Sequence, residues 1–217
     1  MQGAGGRLGR RRSIGYALIT GGLLGLVAAI LLIVIADPGG PADVSAAPPV
    51  RADATWAAGA RPAPDFTLAN QDGRAVSLSS LRGRVVLLTF LDSRCTHLCR
   101  LEGPLLGDVQ RALPEAERPM IVVVSVNPED TAASVRSAAR DWGWLPDGWH
   151  WLMGSRQHLA RVWDAYGVDV QQTPGDLLHT GALYVIDRAG DERAGYATPF
   201  VQQRVTSLIE SFGGTGS

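Results

Sequence analysis

The chain has 217 residues, two cysteines and a formal net charge of −1 at pH 7. This charge lacks the basic surplus of a nucleic-acid-binding protein, and two cysteines in so long a chain do not make a disulfide scaffold. The sequence contains no lysine, which excludes catalysis through a lysine Schiff base. Four of the 20 basic residues precede Ser13, so the rest of the chain carries 16 arginines against 21 acids, a net charge of −5.

An uncharged run at residues 14–36 follows this basic start. As a helix it would be about 35 Å long, enough to cross a bilayer core of about 30 Å. The positive-inside rule places residues 1–13 in the cytoplasm and the following domain outside it. We therefore predict a retained single-pass anchor in the cell membrane. A cleaved signal peptide is the alternative, but its apolar core is usually only about 7–15 residues long.

A segment rich in Ala, Pro and Gly at residues 37–62 is predicted to be a semi-rigid linker. The folded domain is predicted at residues 63–213. It opens with a hairpin, because Asp72-Gly73 separates two short alternating runs.

Strand and helix patterns then alternate along the domain. Strands are expected at residues 85–91, 120–126, 151–153, 181–186 and 192–196. Helices are expected at residues 100–113, 131–142, 155–166 and 199–212. This order predicts an α/β fold with a parallel sheet core, right-handed crossovers and a terminal antiparallel hairpin. The stretch 169–178 is predicted to be a polar loop.

The two cysteines, Cys95 and Cys99, directly follow the apolar run at 85–91. A helix start favours thiolate over thiol, and residues i and i+4 share a helix face, so both sulfurs are expected to point at one object. Polar Thr96 and His97 between them indicate an exposed turn rather than two inert buried cysteines. The sequence therefore predicts a site of thiol chemistry here.

Other aromatic and histidine side chains receive simpler interpretations. Four tryptophans between residues 142 and 151 are interpreted as a packed corner of the core rather than a ligand platform. His150 and His158 are interpreted as surface or hydrogen-bonded residues. His97 is interpreted as a solvent-facing loop residue, with a role as an extra metal ligand as the alternative.

The layout resembles a thioredoxin-like domain, and three features are similar to the Sco (SenC-type) family of membrane-anchored copper chaperones. They are the C-x-x-x-C spacing, the run Val124-Ser125-Val126-Asn127-Pro128-Glu129-Asp130-Thr131, and His179-Thr180 just before the strand at 181–186. The resemblance covers about residues 62–212. The chain departs from the family pattern in three places. The family usually has Pro and Asp between the cysteines, where this chain has Thr96 and His97. It usually has Pro in place of Arg100 and often has Asp in place of Leu178.

The resemblance implies a thioredoxin-like central sheet flanked by helices, with an N-terminal hairpin extension and one N-terminal transmembrane helix. It also implies that His179 joins Cys95 and Cys99 as a copper ligand, and that the strands carrying these segments are parallel neighbours in the sheet. Two thiolates and a neutral imidazole suit Cu(I), whereas a structural zinc site normally has four protein ligands.

Two classes of function follow. The first is an extracytoplasmic copper metallochaperone that helps to assemble a respiratory oxidase copper centre. Its protein partner would be a copper-accepting oxidase subunit or other copper protein. It would also react with a thiol reductant and be attached to the membrane by its anchor. The second is a thiol-disulfide oxidoreductase that reduces a partner's cysteines, and a thiol peroxidase is a weaker third. Copper binding needs Cys95, Cys99 and His179, whereas dithiol exchange needs the cysteines alone.

Overall fold

The structure is a computed structural model that describes residues 52–173 and 176–213, which form a mixed α/β domain. Their strands are β1 (Ala54–Thr55), β2 (Thr67–Ala69), β3 (Ala75–Ser77), β4 (Val86–Leu91), β5 (Met120–Ser125), β6 (Trp149–Leu152), β7 (Val170–Thr173), β8 (Asp176–His179), β9 (Ala182–Ile186) and β10 (Glu192–Ala197). Their α-helices are α1 (Leu98–Ala112), α2 (Ala132–Asp141), α3 (Arg156–Ala165) and α4 (Gln202–Gly213).

The central sheet has the strand order β1-β10-β9-β4-β5-β6. As predicted, β4, β5 and β6 are parallel, and β9 and β10 form an antiparallel hairpin. The expectation that the strand before the cysteines and the strand after His179 are parallel is wrong: β4 and β9 are neighbours but run antiparallel. The chain enters β9 at the edge of the sheet where β4 ends, since Thr89 is paired with Leu183.

Apolar side chains cover both faces of the sheet, because the central strands β4 and β5 are buried along their whole length. One cluster joins the sheet to α1, α2 and α4 through residues such as Leu106, Val135 and Ile209. The other joins it to α3 and the predicted hairpin β2–β3 through residues such as Leu159 and Leu68. The sheet is therefore a rigid platform for the turns at its edges.

The tryptophans form a packed corner, as predicted. Trp142 stacks on Trp151 with ring centroids 5.8 Å apart, and both rings belong to the core beside α1. The indole of Trp144 donates a hydrogen bond to the Gly103 carbonyl at 2.7 Å. A Cβ atom on Gly103 would lie 2.2 Å from the Trp142 ring, so glycine is required for this close approach of α1.

The sheet begins within the segment predicted as a linker. Strand β1 pairs with β10, and the Trp56 ring lies close to Gly195. Arg61 stacks over Trp56, and its Nε lies 2.6 Å from a carboxylate oxygen of buried Glu192. These contacts hold the start of the domain against the sheet edge.

Within the part of the chain that the structure describes, no helix has the length and apolar character needed to cross a bilayer. The anchor predicted at residues 14–36 lies outside the described residues and stays a prediction.

Candidate functional site

The cysteines lie where the chain passes from β4 into α1. The Asp92 carbonyl accepts a hydrogen bond from the Cys95 N–H at 3.2 Å, and the Asp92 carboxylate accepts one from the Arg94 N–H at 2.9 Å, so the chain turns sharply. The helix begins only at Leu98, with His97 as its N-cap residue. The expectation that both cysteines share a helix face is therefore wrong, because Cys95 belongs to the turn and only Cys99 to the helix.

A polar network fixes this turn to the segment after β5. The Ser93 hydroxyl donates to an Asp130 carboxylate oxygen at 2.5 Å, and the Ser125 hydroxyl donates to the other oxygen. The Asn127 amide donates to Asp92 at 3.1 Å. Burial raises the pKa of Asp130 to about 6. Because the network ties two loops of neighbouring strands together, the position of Cys95 is set by the sheet.

The two sulfurs have opposite ionisation tendencies. A hydrogen bond from the Cys99 thiol lowers the pKa of Cys95 to about 6, against the effect of partial burial, and the backbone N–H groups of His97 and Cys99 add to the lowering. The pKa of Cys99 is raised, because its proton is held by the Cys95 sulfur and because the side chain is buried. At neutral pH the half-buried Cys95 is therefore a thiolate, while buried Cys99 keeps its proton.

His179 lies at the end of β8 and faces the buried sulfur. Its Nε2 atom is 3.8 Å from Cys99 Sγ, and its Nδ1 atom is 3.1 Å from the Thr180 carbonyl oxygen. A carbonyl oxygen only accepts hydrogen bonds, so Nδ1 carries the proton of the neutral ring and Nε2 directs a lone pair at the sulfur. A metal-binding histidine is usually held in this tautomer by such a hydrogen bond.

The segment that carries His179 is not the predicted loop. Residues 169–178 include most of an antiparallel ribbon, in which β7 pairs with β8 and Val170 lies opposite His179. The ribbon lacks a continuous buried face, so main-chain hydrogen bonds hold it and its hydrophobic pattern is weak. The sequence signal that marks it is Pro174-Gly175, a turn dipeptide between two short runs.

The described residues contain no group of three His, Cys, Asp or Glu side chains already set in metal-binding geometry. The individual donors nevertheless fit a soft metal. For bonds of about 2.0 Å to nitrogen and about 2.3 Å to sulfur, two ligands at 120° around a metal lie about 3.7 Å apart. The 3.8 Å between His179 Nε2 and Cys99 Sγ matches this spacing, and Cys95 lies against Cys99 as the remaining donor.

The structure adds a buried acid that the sequence reading missed. Glu102, one helical turn after Cys99, is almost fully buried, and burial raises its pKa to about 7. Its Oε1 lies 2.6 Å from the Thr89 hydroxyl, which also lies 2.9 Å from the Ala182 carbonyl. The Thr89 hydroxyl donates to the Glu102 carboxyl oxygen and so opposes the rise in its pKa, but the effect of burial is larger. The sequence signal was an acid on the otherwise apolar face of α1.

The remaining histidines lie apart from the sulfurs or face solvent. The Nδ1 atom of His150 accepts a hydrogen bond from the Asn70 side-chain amide at 3.4 Å. His158 is exposed on α3. Both positions agree with the predictions. His97 is exposed between the cysteines. Geometry thus brings together Cys95, Cys99 and His179, and their role as metal ligands stays a prediction.

A mixed α/β domain with a dithiol and a histidine at one edge of its sheet defines a thiol or metal-handling protein. The SCO1/SenC family model matches residues 56–212, and the chain belongs to this family. It is 28% identical over 131 residues to the SCO1 protein homolog of Bacillus subtilis (strain 168), across 58% of this chain and 68% of that protein.

Two solved structures illustrate the shared fold. ScoI of Bradyrhizobium japonicum, determined with copper bound, is 24% identical with a TM-score of 0.60, over 70% of this chain and 99% of that one. The second is BsSco, which is described as having a disulfide switch and as a member of the Sco family of cytochrome c oxidase assembly proteins. It is 23% identical with a TM-score of 0.60, and the match covers 76% of this chain and 99% of that one.

The ionisation of the two sulfurs can be tested by alkylation of the reduced full chain with iodoacetamide. We expect Cys95 to react with an apparent pKa of about 6, while Cys99 stays unmodified at neutral pH. Replacement Cys99→Ala removes the hydrogen bond to the thiolate, so the apparent pKa of Cys95 should rise by about one unit or more toward that of a free thiol. Site-resolved mass spectrometry across a pH series measures both.

The replacement His158→Ala serves as the control and should leave the alkylation profile unchanged. An apparent pKa near 8.5 for Cys95 in the unmodified chain, the ordinary value for a free cysteine, would contradict the account.

Proposed function

We propose that this protein is an extracytoplasmic copper metallochaperone that helps to assemble a respiratory oxidase copper centre. The observation that carries the proposal is the His179 imidazole, whose Nε2 lies 3.8 Å from Cys99 Sγ at the dithiol. Dithiol exchange has no need of this third donor, whereas Cu(I) is well served by two thiolates and an imidazole. Family membership and the copper-bound relative support the same function.

Copper is the cargo of this function, and the residues prepare for it in different ways. Cys95 offers a thiolate at neutral pH, so copper needs to displace a proton only from Cys99. The contact of His179 Nδ1 with the Thr180 carbonyl leaves Nε2 as the ring atom that can bind the metal. Cys95 and His179 are only partly buried, so a metal ion held by them stays within reach of a partner.

A thiol-disulfide oxidoreductase is the second candidate, and the contrast between the two sulfurs favours it. The half-buried Cys95 thiolate can attack a partner's disulfide, forming a mixed disulfide and releasing one partner sulfur as a thiolate. Cys99 then loses its proton and attacks Cys95, which releases the second partner sulfur and leaves a Cys95–Cys99 disulfide. The two electrons pass to the partner, so an external reductant must restore the dithiol.

The proposed location of the domain is outside the cytoplasm, with residues 14–36 as its membrane anchor. This location rests on the uncharged run behind four arginines. Respiratory oxidases are membrane complexes, so an anchored chaperone would be held beside its client.

The replacement His179→Ala separates the two candidate functions. We expect it to weaken Cu(I) binding by about tenfold or more, since one of three ligands is lost, and to leave the dithiol-disulfide reaction largely intact. Competition between the reduced full chain and a chromophoric Cu(I) chelator measures the affinity, and thiol trapping after a glutathione redox series measures the reaction.

The matched controls His150→Ala and His158→Ala remove the same side chain at sites away from the sulfurs and should change neither measurement. If His179→Ala binds Cu(I) as tightly as the unmodified chain, the chaperone function loses its main support and the oxidoreductase function leads.

The anchor can be tested by alkaline carbonate extraction of membranes that contain the full-length protein. We expect the whole protein to stay in the membrane pellet, because a 14–36 helix of about 35 Å spans the bilayer. Protease added outside the cytoplasm should digest the domain. Recovery of a soluble protein that starts after residue 36 would show a cleaved signal peptide instead.

A further inference from the structure

A buried hydroxyl lies between the segments that carry Cys99 and His179. It belongs to Thr89, the polar residue of the otherwise apolar strand β4, and the residue is fully buried. A buried hydroxyl costs free energy unless it forms hydrogen bonds, whereas valine has nearly the same branched shape without that cost. The role of threonine at this position therefore depends on what its hydroxyl contacts.

The Thr89 hydroxyl contacts two segments at once. It lies 2.6 Å from Glu102 Oε1 and 2.9 Å from the Ala182 carbonyl oxygen. Glu102 is on α1, one helical turn after Cys99. Ala182 follows His179 by three residues. One hydroxyl group thus joins the cysteine helix, the central strand and the segment that leads from His179 into β9.

This contact extends the pairing of β4 with β9 toward His179. The register of the two strands runs from Val86 opposite Ile186 to Thr89 opposite Leu183. The next residue toward His179 is Ala182, and the Thr89 side chain holds its carbonyl against β4. Residues past the end of a strand pairing open easily unless further contacts hold them. The hydroxyl therefore limits how far the His179 segment can move from β4.

A second set of contacts holds the same segment to the chain before β7. The Thr180 N–H donates to the Asp169 carbonyl at 2.9 Å, and the Asp169 N–H donates to the Thr180 hydroxyl at 3.2 Å. Thr89 thus supplies one part of the constraint on His179. Loss of its hydroxyl should loosen the position of the imidazole without releasing the segment.

We propose that Thr89 is a positioning residue for the copper centre, whose hydroxyl holds the helix of Cys99 and the segment of His179 at the spacing that lets both side chains bind one metal ion. Thr89 does not itself bind the metal. The spacing that it maintains is the 3.8 Å between His179 Nε2 and Cys99 Sγ. This inference rests on the proposed function, in which His179 is a ligand, and adds to it the residue that sets the distance between the two donors.

Two replacements of Thr89 separate the hydroxyl from the shape of the side chain. Thr89→Val keeps the branched shape and should weaken Cu(I) binding to the reduced full chain by about threefold to tenfold, which corresponds to the loss of one hydrogen bond. Thr89→Ser keeps the hydroxyl and should bind within about twofold of the unmodified chain. Competition with a chromophoric Cu(I) chelator measures both. A Thr89→Val variant that binds as tightly as the unmodified chain would overturn the inference.

A double-mutant cycle with His179→Ala shows whether Thr89 acts through the imidazole. In the His179→Ala background, Thr89→Val should change the Cu(I) affinity by less than about twofold, because the ligand that it positions is already absent. General damage to the domain or to the dithiol would weaken binding equally in both backgrounds. An equal effect in both backgrounds would therefore contradict a positioning role.

Two further variants guard the test against effects on folding. The control Thr206→Val also removes a hydroxyl that donates to a backbone carbonyl, that of Gln202 at 3.1 Å on α4, and should leave the affinity unchanged. Thr89→Val alone leaves the buried Glu102 carboxyl without this hydroxyl. The double variant Thr89→Val/Glu102→Leu replaces both partners by apolar groups, which costs less stability, and should show the same loss of affinity as Thr89→Val. If Thr89→Val does not fold, this double variant decides between the same outcomes.

Hydrogen–deuterium exchange of the copper-free chain tests the constraint without the metal. Amides at residues 180–183 should exchange faster in Thr89→Val than in the unmodified chain, and at the unmodified rate in Thr89→Ser. Equal exchange in all three chains would overturn the inference, because the hydroxyl would then not hold the segment.

The outcomes distinguish this inference from the proposed function. If His179→Ala weakens Cu(I) binding and Thr89→Val does not, the inference is overturned while the chaperone function stands. If His179→Ala itself binds Cu(I) as the unmodified chain does, the copper function and the positioning role both lose their support. The account predicts a weaker centre in both single variants, with no further loss when the two are combined.

Discussion

The sulfur atoms of Cys95 and Cys99 lie against each other at the end of β4, and the chemistry of the domain depends on the difference between their pKa values. The Cys99 thiol donates to Cys95, so Cys95 is the thiolate and the buried sulfur stays protonated. The hydrogen-bond network around Asp92 and Asp130 holds Cys95 in a turn outside the helix. Both chemistries, metal binding and disulfide exchange, then begin at Cys95.

The antiparallel direction of β9 supplies the third group. The residues just before β9 lie beside the end of β4, where the cysteine turn begins. His179 is one of these residues, and its ring therefore lies next to the Cys99 sulfur. In a parallel pair the start of β9 would lie at the opposite end of β4, about 20 Å away for six residues. The same proximity explains the buried carboxyl: Glu102 reaches Thr89 on β4, whose hydroxyl contacts the Ala182 carbonyl at the start of β9.

Much of this arrangement could be predicted from the sequence, because apolar periodicity marks elements that are buried on a long face. The central strands, the helices and the tryptophan corner follow from that pattern. The direction of β9 does not, since a strand has the same pattern whichever way it runs. The ribbon β7–β8 was missed because it buries little.

The site was predictable in composition but less so in geometry. The residue types at Cys95, Cys99 and His179 pointed to thiol and copper chemistry through the family resemblance. The helix, however, begins at Leu98, between the two cysteines and two residues before the predicted start, because helix ends depend on local hydrogen bonds that periodicity does not report. Glu102 was missed because its burial depends on tertiary contacts with Thr89.

X-ray absorption at the copper edge of the reduced full chain, loaded with one equivalent of Cu(I), tests the central claim most directly. The account predicts two sulfur neighbours and one nitrogen neighbour around copper, and loss of the nitrogen in the His179→Ala variant. A centre with two sulfur neighbours alone, unchanged by that replacement, would contradict it.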